Sequence, residues 1–235
     1  MKIIKNFNYI NMEGVIFDFN GTLIQDDPIN ILSWKKFAKK KLNYDMTDEE
    51  YHKYNGTPGE AWIVGITKGA ITGQKAIEYR IAKEQQYRDD LKETDIDLVP
   101  GAKELFDTLK EKGIPFTIAT SSDKANVELY FEKFKLDKWF KMEKCMFTDG
   151  TFKGKPNPDI YEKAAQKIGV NIKKCVVFED TKSGVKAGYS AGAKVIGMTA
   201  GRPAEDIWKF EKVVDVIDDF KGITIERLNK LFKEN

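Results

Sequence analysis

The chain has 235 residues, enough to bury one large core or a core plus an insert. With 41% hydrophobic and 32% charged residues the composition is that of a globular protein and excludes a disordered one. The 39 basic and 37 acidic residues leave a net charge of +2, which gives no reason to expect nucleic acid or a membrane surface as partner. Cys145 and Cys175 form no CxxC pair and His52 is the sole histidine, so neither a zinc site nor a disulfide framework is indicated. The expected setting is a reducing cytoplasm, with His52 on a polar helix surface and both thiols near the core. No apolar run reaches the roughly 18 residues of a membrane span. Residues 1–11 have their apolar positions interrupted by asparagines, so they read as an N-terminal extension rather than a signal peptide, with Met12 as an alternative start.

The first apolar run, Gly14 to Phe17, is short enough for a buried strand. Pro28 then opens a helix with Ile31, Trp34, Phe37, Ala38 and Leu42 on one face. Thr47-Asp48-Glu49-Glu50 is a capping-box signature for a second helix. A third follows Pro58, with Trp62, Ile63 and Ile66 as its apolar side, and Thr72 to Glu93 reads as a long polar helix with Ile77, Ile81 and Leu91 inward. No strand pattern falls between about 27 and 94. That block is expected to be a helical insert with Trp34, Phe37 and Trp62 packed inside it.

Alternation of strand and helix resumes at Val99. Helix Ala102 to Lys112 stops at Gly113, and strand Ile114 to Ala119 and helix Lys124 to Phe134 follow. Asp149-Gly150, flanked by Cys145 to Phe147 and Thr151-Phe152, predicts a hairpin. Helix Pro158 to Ile168, strand Cys175 to Phe178, helix Lys182 to Ala191, strands Lys194 to Met198 and Val213 to Ile217, and helix Ile225 to Phe232 complete the chain. Strands separated by helices imply an α/β fold with a mainly parallel sheet covered on both faces, whose ligands sit at the carboxyl ends of the strands.

Those strand ends carry the chemistry. Asp18, Asn20, Gly21 and Thr22 follow the first strand, and Thr120, Ser121 and Ser122 follow the second. Lys155 precedes a helix, and Glu179-Asp180 follows Cys175 to Phe178. Together they offer carboxylates for a hard cation, an ammonium and loop amides for a moving phosphoryl group, and a carboxylate able to attack phosphorus.

The order Asp18-x-Asn20-Gly21-Thr22, Thr120, Lys155-Pro156-x-Pro158-Asp159-Ile160-Tyr161 and Glu179-Asp180-x-x-Ser183-Gly184 resembles the haloacid dehalogenase-like hydrolase superfamily over roughly residues 13–201. Within it the chain is similar to the branch containing β-phosphoglucomutase and phosphoglycolate phosphatase, with a helical cap. The resemblance implies a Rossmann-like core of residues 12–26 and 95–235, a cap of 27–94 with hinges near 25–28 and 96–100, and Mg²⁺ as cofactor. It further implies a small phosphorylated metabolite as substrate and a monomer or weak dimer. Asp18 would form an aspartyl-phosphate. Phe19, Asn20, Thr120, Ser121 and Lys155 would surround the phosphoryl group with it. Asp18, the Asn20 carbonyl, Glu179 and Asp180 would hold the metal, and Ser183 and Gly184 would support that loop.

The chain departs from the family at position 20, where the phosphatases carry an aspartate that serves as acid and then base. An amide donates a hydrogen bond but cannot give up the proton at neutral pH. The readings open at this stage are a slow phosphatase suited to good leaving groups such as acyl phosphates, a noncatalytic binder of a phosphorylated ligand, and deamidation at Asn20-Gly21. A phosphoglucomutase-like transferase also needs the missing acid. Moreover, the cap segment Asn55 to Gly59 has Gly59 where such relatives present a basic residue. The metal-independent dehalogenases also lack the second aspartate, but the Glu179-Asp180 pair argues for a metal.

Overall fold

The computed structural model describes residues 12–54 and 59–233. The expectations for residues 1–11, for segment 55–58 and for the His52 side chain therefore lie outside the described residues.

Five strands form one parallel sheet in the order β2-β1-β3-β4-β5, where β1 is Gly14–Phe17, β2 Phe116–Ile118, β3 Cys175–Glu179, β4 Lys194–Met198 and β5 Val213–Ile217. Strand β1 lies inside the sheet, with Phe17 beside Ile118 on one side and Phe178 on the other. Successive residues of a strand face opposite sides, so β1 and residues 175–178 of β3 are apolar at every position. Phe17 stacks on Phe178 at 5.3 Å within the larger core cluster, while Ile16 and Val177 belong to the cluster on the other face. The helices α5 (Ala102–Glu111), α6 (Lys124–Phe134), α7 (Asp159–Ile168), α8 (Lys182–Ala191), α9 (Ala204–Trp208) and α10 (Ile225–Lys230) connect or follow the strands. Helix α9, a single short turn, went unnoticed in the sequence.

Between β1 and β2 the chain forms α1 (Asp27–Leu42), α2 (Asp48–Tyr54), α3 (Gly59–Ile66) and α4 (Gly73–Glu93). These helices carry a hydrophobic cluster of their own, in which Trp34 stacks on Trp62 at 4.5 Å and meets Phe37 edge-on. The capping box forms: Thr47 Oγ1 accepts from Glu50 N at 3.2 Å and Glu50 Oε2 accepts from Thr47 N at 3.0 Å. No described helix is long and apolar enough to cross a membrane. Both cysteines are buried and free.

Two expectations fail. Ile81 is 51% exposed, and beside Leu91, buried as expected, α4 buries Ala76, Lys83, Tyr87 and Asp90. Polar groups occupy this face because it meets partners there: Asp90 accepts from Ser33 of α1 at 2.8 Å, and Lys83 donates to Asn30 at 2.5 Å. The hairpin at Asp149-Gly150 is absent. Met146 N donates to Ile118 O at 2.8 Å and Thr120 N to Met146 O at 2.9 Å, so the segment extends the parallel sheet beside β2 instead of folding on itself. Asp149 turns the chain locally by accepting from Thr151 N and Oγ1.

Candidate active site

The loops that follow β1, β2 and β3 lie side by side because those strands are neighbours in the sheet. Lys155, just before α7, reaches into the same space from a cis Lys155–Pro156 bond. Its Nζ stands 2.5 Å from Asp18 Oδ1 and 2.6 Å from Glu179 Oε1, and all three side chains are under 10% exposed. Asp18, Glu179 and Asp180 each place one oxygen so that the three lie within 4.8 Å of one another.

The local sequence fits this crowding. Gly21 has φ +75°, and a Cβ there would fall 2.3 Å from Asp180 Oδ2. A Cβ on Gly184 would fall 1.6 Å from Glu179 Oε1. Glycine is what lets the carboxylates approach. Glu179 is fully engaged: Oε1 accepts from Lys155 and from Tyr161 OH at 3.0 Å, and Oε2 from Thr181 N at 2.8 Å and Oγ1 at 3.0 Å. Thr181 in turn caps α8 by accepting from Gly184 N. Ser183 adds only a 3.4 Å contact to Thr181.

Burial pushes the Asp18 carboxyl up to about 7, with Lys155 opposing and Glu179 and Asp26 adding to the rise. Burial, then Glu179 and Asp18, raise Asp180 well above the carboxylate range. Burial alone would lower Lys155, but Asp18 and Glu179 outweigh it and hold the ammonium firmly charged. Three buried acids against one buried lysine leave a deficit of positive charge, and their oxygens are a donor set that could hold a hard divalent cation.

Thr120 is buried, with Oγ1 accepting from Ser122 N at 3.1 Å. Ser121 is exposed and Phe19 turns its ring inward, stacked on Tyr130 at 4.1 Å. Any share these two have in holding a ligand would fall to main-chain groups for Phe19 and to the rim for Ser121. Asn20 is gathered into a network instead. Its Nδ2 donates to Asp26 Oδ2 at 2.7 Å and lies 3.0 Å from both Tyr87 OH and Tyr130 OH. Its Oδ1 accepts from Ser122 Oγ at 2.8 Å. Gly21 N donates to Ile24 O at 2.8 Å and to Asp26 Oδ1 at 3.2 Å. Both groups that a cyclisation at Asn20-Gly21 would join are thereby hydrogen-bonded.

Sequence reasoning missed several residues that the fold brings here. Arg202 follows Ala200 and Gly201, both at positive φ, and its Nη2 meets the carbonyl oxygen of Asp180 and, at 3.3 Å, its Oδ2. Tyr161 supports Glu179, while Asp26, Tyr87 and Tyr130 surround Asn20. Lys83 is 3% exposed beneath Trp34 and Tyr87, 5.0 and 5.3 Å from their rings. Nothing local marked it, because α4 carries charged residues along its whole length and Lys83 is followed by Glu84, Gln85 and Gln86.

A parallel sheet whose strand ends collect three acids and a lysine defines an α/β enzyme core, and the comparisons with known proteins specify which. The haloacid dehalogenase-like hydrolase family matches residues 15–198. A phosphorylated carbohydrates phosphatase of Thermotoga maritima is 30% identical, covering 79% of this chain and 84% of its own length. Hexitol phosphatase A of Escherichia coli is 30% identical, covering 92% and 94%. The crystal structure of a HAD hydrolase of family IA, variant 3, from Entamoeba histolytica superposes with a TM-score of 0.92 at 43% identity, covering 95% of this chain and all of that one. The chain belongs to the haloacid dehalogenase-like hydrolase family.

Proposed function

We propose that the protein hydrolyses monophosphate esters of small metabolites of the sugar class, with Mg²⁺ as cofactor and Asp18 as nucleophile. The observation that carries this is the Lys155 ammonium held 2.5 Å from Asp18 and 2.6 Å from Glu179, at a rim where Asp180 also points. The two curated relatives whose names specify phosphorylated carbohydrates and hexitols support the substrate class.

In this reading one oxygen of Asp18 attacks phosphorus, the bond to the ester oxygen breaks, and the phosphoryl group rests on Asp18 until water displaces it. Lys155 orients Asp18 and neutralises phosphoryl charge. Thr120 donates to a phosphoryl oxygen, and the Phe19 and Asn20 amides and Ser121 complete the cradle. Asp18, the main-chain carbonyl of Asn20 and Asp180 would hold the cation directly. Glu179, whose oxygens are already bonded, would act through water and through Lys155. Bound Mg²⁺ supplies charge stabilisation for the phosphoryl oxygens. Helices α1 to α4, residues 27–94, serve as a cap over the rim that excludes water. Asn20 cannot protonate the departing oxygen, so turnover is expected to favour esters with good leaving groups. The test is phosphate release from a panel of sugar phosphates and an acyl phosphate with Mg²⁺. Release that persists in Asp18→Ala would overturn the assignment.

The bonding of Asn20 favours a second reading. Every polar atom of that side chain is committed to Asp26, Tyr87, Tyr130 and Ser122, which suits a protein that holds a phosphate ester without turning it over. Calorimetric binding of a sugar phosphate without phosphate release would select it.

A further inference from the structure

We propose that Asp26 is a positioning residue matched to the amide at position 20, so that the two form one interlocked pair and neither can be changed alone. The proposal rests on the hydrolase reading above. Asp26 is 4% exposed, and its Oδ2 accepts from Asn20 Nδ2 at 2.7 Å and from Tyr87 OH at 2.6 Å. Its Oδ1 accepts from Gly21 N at 3.2 Å. A carboxylate has acceptors only, so it can face just one end of a carboxamide. Asp26 therefore fixes the rotation of Asn20: the NH₂ turns toward Asp26, and Oδ1 turns toward Ser122 beside Thr120.

The same geometry explains why an acid does not stand at position 20. A second carboxylate 2.7 Å from Asp26 would place like charges in contact inside a pocket closed by Tyr87 and Tyr130, which are 2% and 1% exposed. Exchanging the two groups, amide at 26 and carboxyl at 20, keeps one donor facing one acceptor. Tyr87 belongs to α4, so the pair is complete only while the helical block rests on the sheet.

Four proteins decide the matter: the parent, Asn20→Asp, Asp26→Asn and the double exchange Asn20→Asp/Asp26→Asn. Thermal midpoints are read in EDTA, and kcat and KM for phosphate release from p-nitrophenyl phosphate are read with Mg²⁺. Asn20→Asp alone is expected to lower the midpoint by roughly 6 °C or more, and the double exchange to return it to within about 2 °C of the parent. The double exchange should raise kcat at least about tenfold over Asn20→Asp, with KM unchanged. Additive midpoints across the four proteins would overturn the pairing. A double exchange that regains stability but turns over no faster than Asn20→Asp would overturn the positioning role. Coupled midpoints with no phosphate released by any of the four would sink the hydrolase reading and leave the pairing upheld.

Discussion

Asp18 and Lys155 make opposite demands on the protein, since each is costly to bury without the other. Lys155→Met should remove the ammonium that, among the described residues, pairs with both Asp18 and Glu179, and leave two buried carboxylates crowded together. A loss of roughly 3–5 kcal/mol is expected in urea unfolding of the metal-free protein, together with loss of phosphate release. The pH dependence has a definite sign. Asp18 titrates near 7 in the folded chain against an ordinary 3.8, so its contribution to stability is complete below about 4 and is lost as pH rises through 7. The metal-free protein should therefore melt progressively lower between pH 4 and 7, and Mg²⁺ should raise the midpoint more at pH 7.5 than at pH 5. A midpoint in EDTA that climbs over that range would contradict the burial account. The site acids were legible in the sequence because each follows directly on an apolar strand. The surroundings of Asn20 were not, because Tyr87 and Tyr130 arrive from 67 and 110 residues away and look locally like ordinary helix aromatics. Asp26 fell inside the expected hinge near 25–28 and was given no role of its own.

Elements were legible where period and punctuation agreed. Strand β1 and most of β3 and β4 are apolar, and the Thr47 box and Gly113 mark real helix ends. They were misread where tertiary partners override local pattern. Helix α4 turns Lys83, Tyr87 and Asp90 inward because α1 and the site loops offer them bonds, and Ile81 is left outside. The Asp149-Gly150 signal promised a hairpin, yet the preceding residues find a better partner in Ile118 and Thr120. The start of α8 gives an element-scale prediction. Gly184→Ala would drive a methyl group to 1.6 Å from Glu179 Oε1, forcing Glu179 off Lys155. Phosphate release should fall roughly 100-fold through misplacement of Lys155, although no phosphoryl-contacting residue is itself substituted. Activity within a few-fold of the parent would show that Glu179 has room to spare.

At the scale of the molecule, the two hydrophobic bodies respond separately to damage. Trp62 packs on Trp34, Tyr51 and Tyr54, all in helices α1 to α3. Trp62→Ala should cost about 3–5 kcal/mol, expressed as lost hydrogen-exchange protection in residues 31–82 while amides of β1 and β3 stay protected. Uniform loss across the chain would mean that the helical block and the sheet melt as one. Arg88 and Glu84 of α4 bond Asn126 of α6, and the two chain crossings are tied as well. Val99 N donates to Leu23 O at 2.8 Å, and Lys133 Nζ donates to Thr94 O at 2.8 Å. The outgoing and returning chains are thus stitched to each other and moored to α6 just before they part. We expect the helical block, if it opens, to swing about these crossings like a door on its post rather than slide. Asp26, close to the post, would barely travel while Tyr87 left with α4, so each opening would strip Asn20 and Asp26 of the same hydroxyl at the same moment.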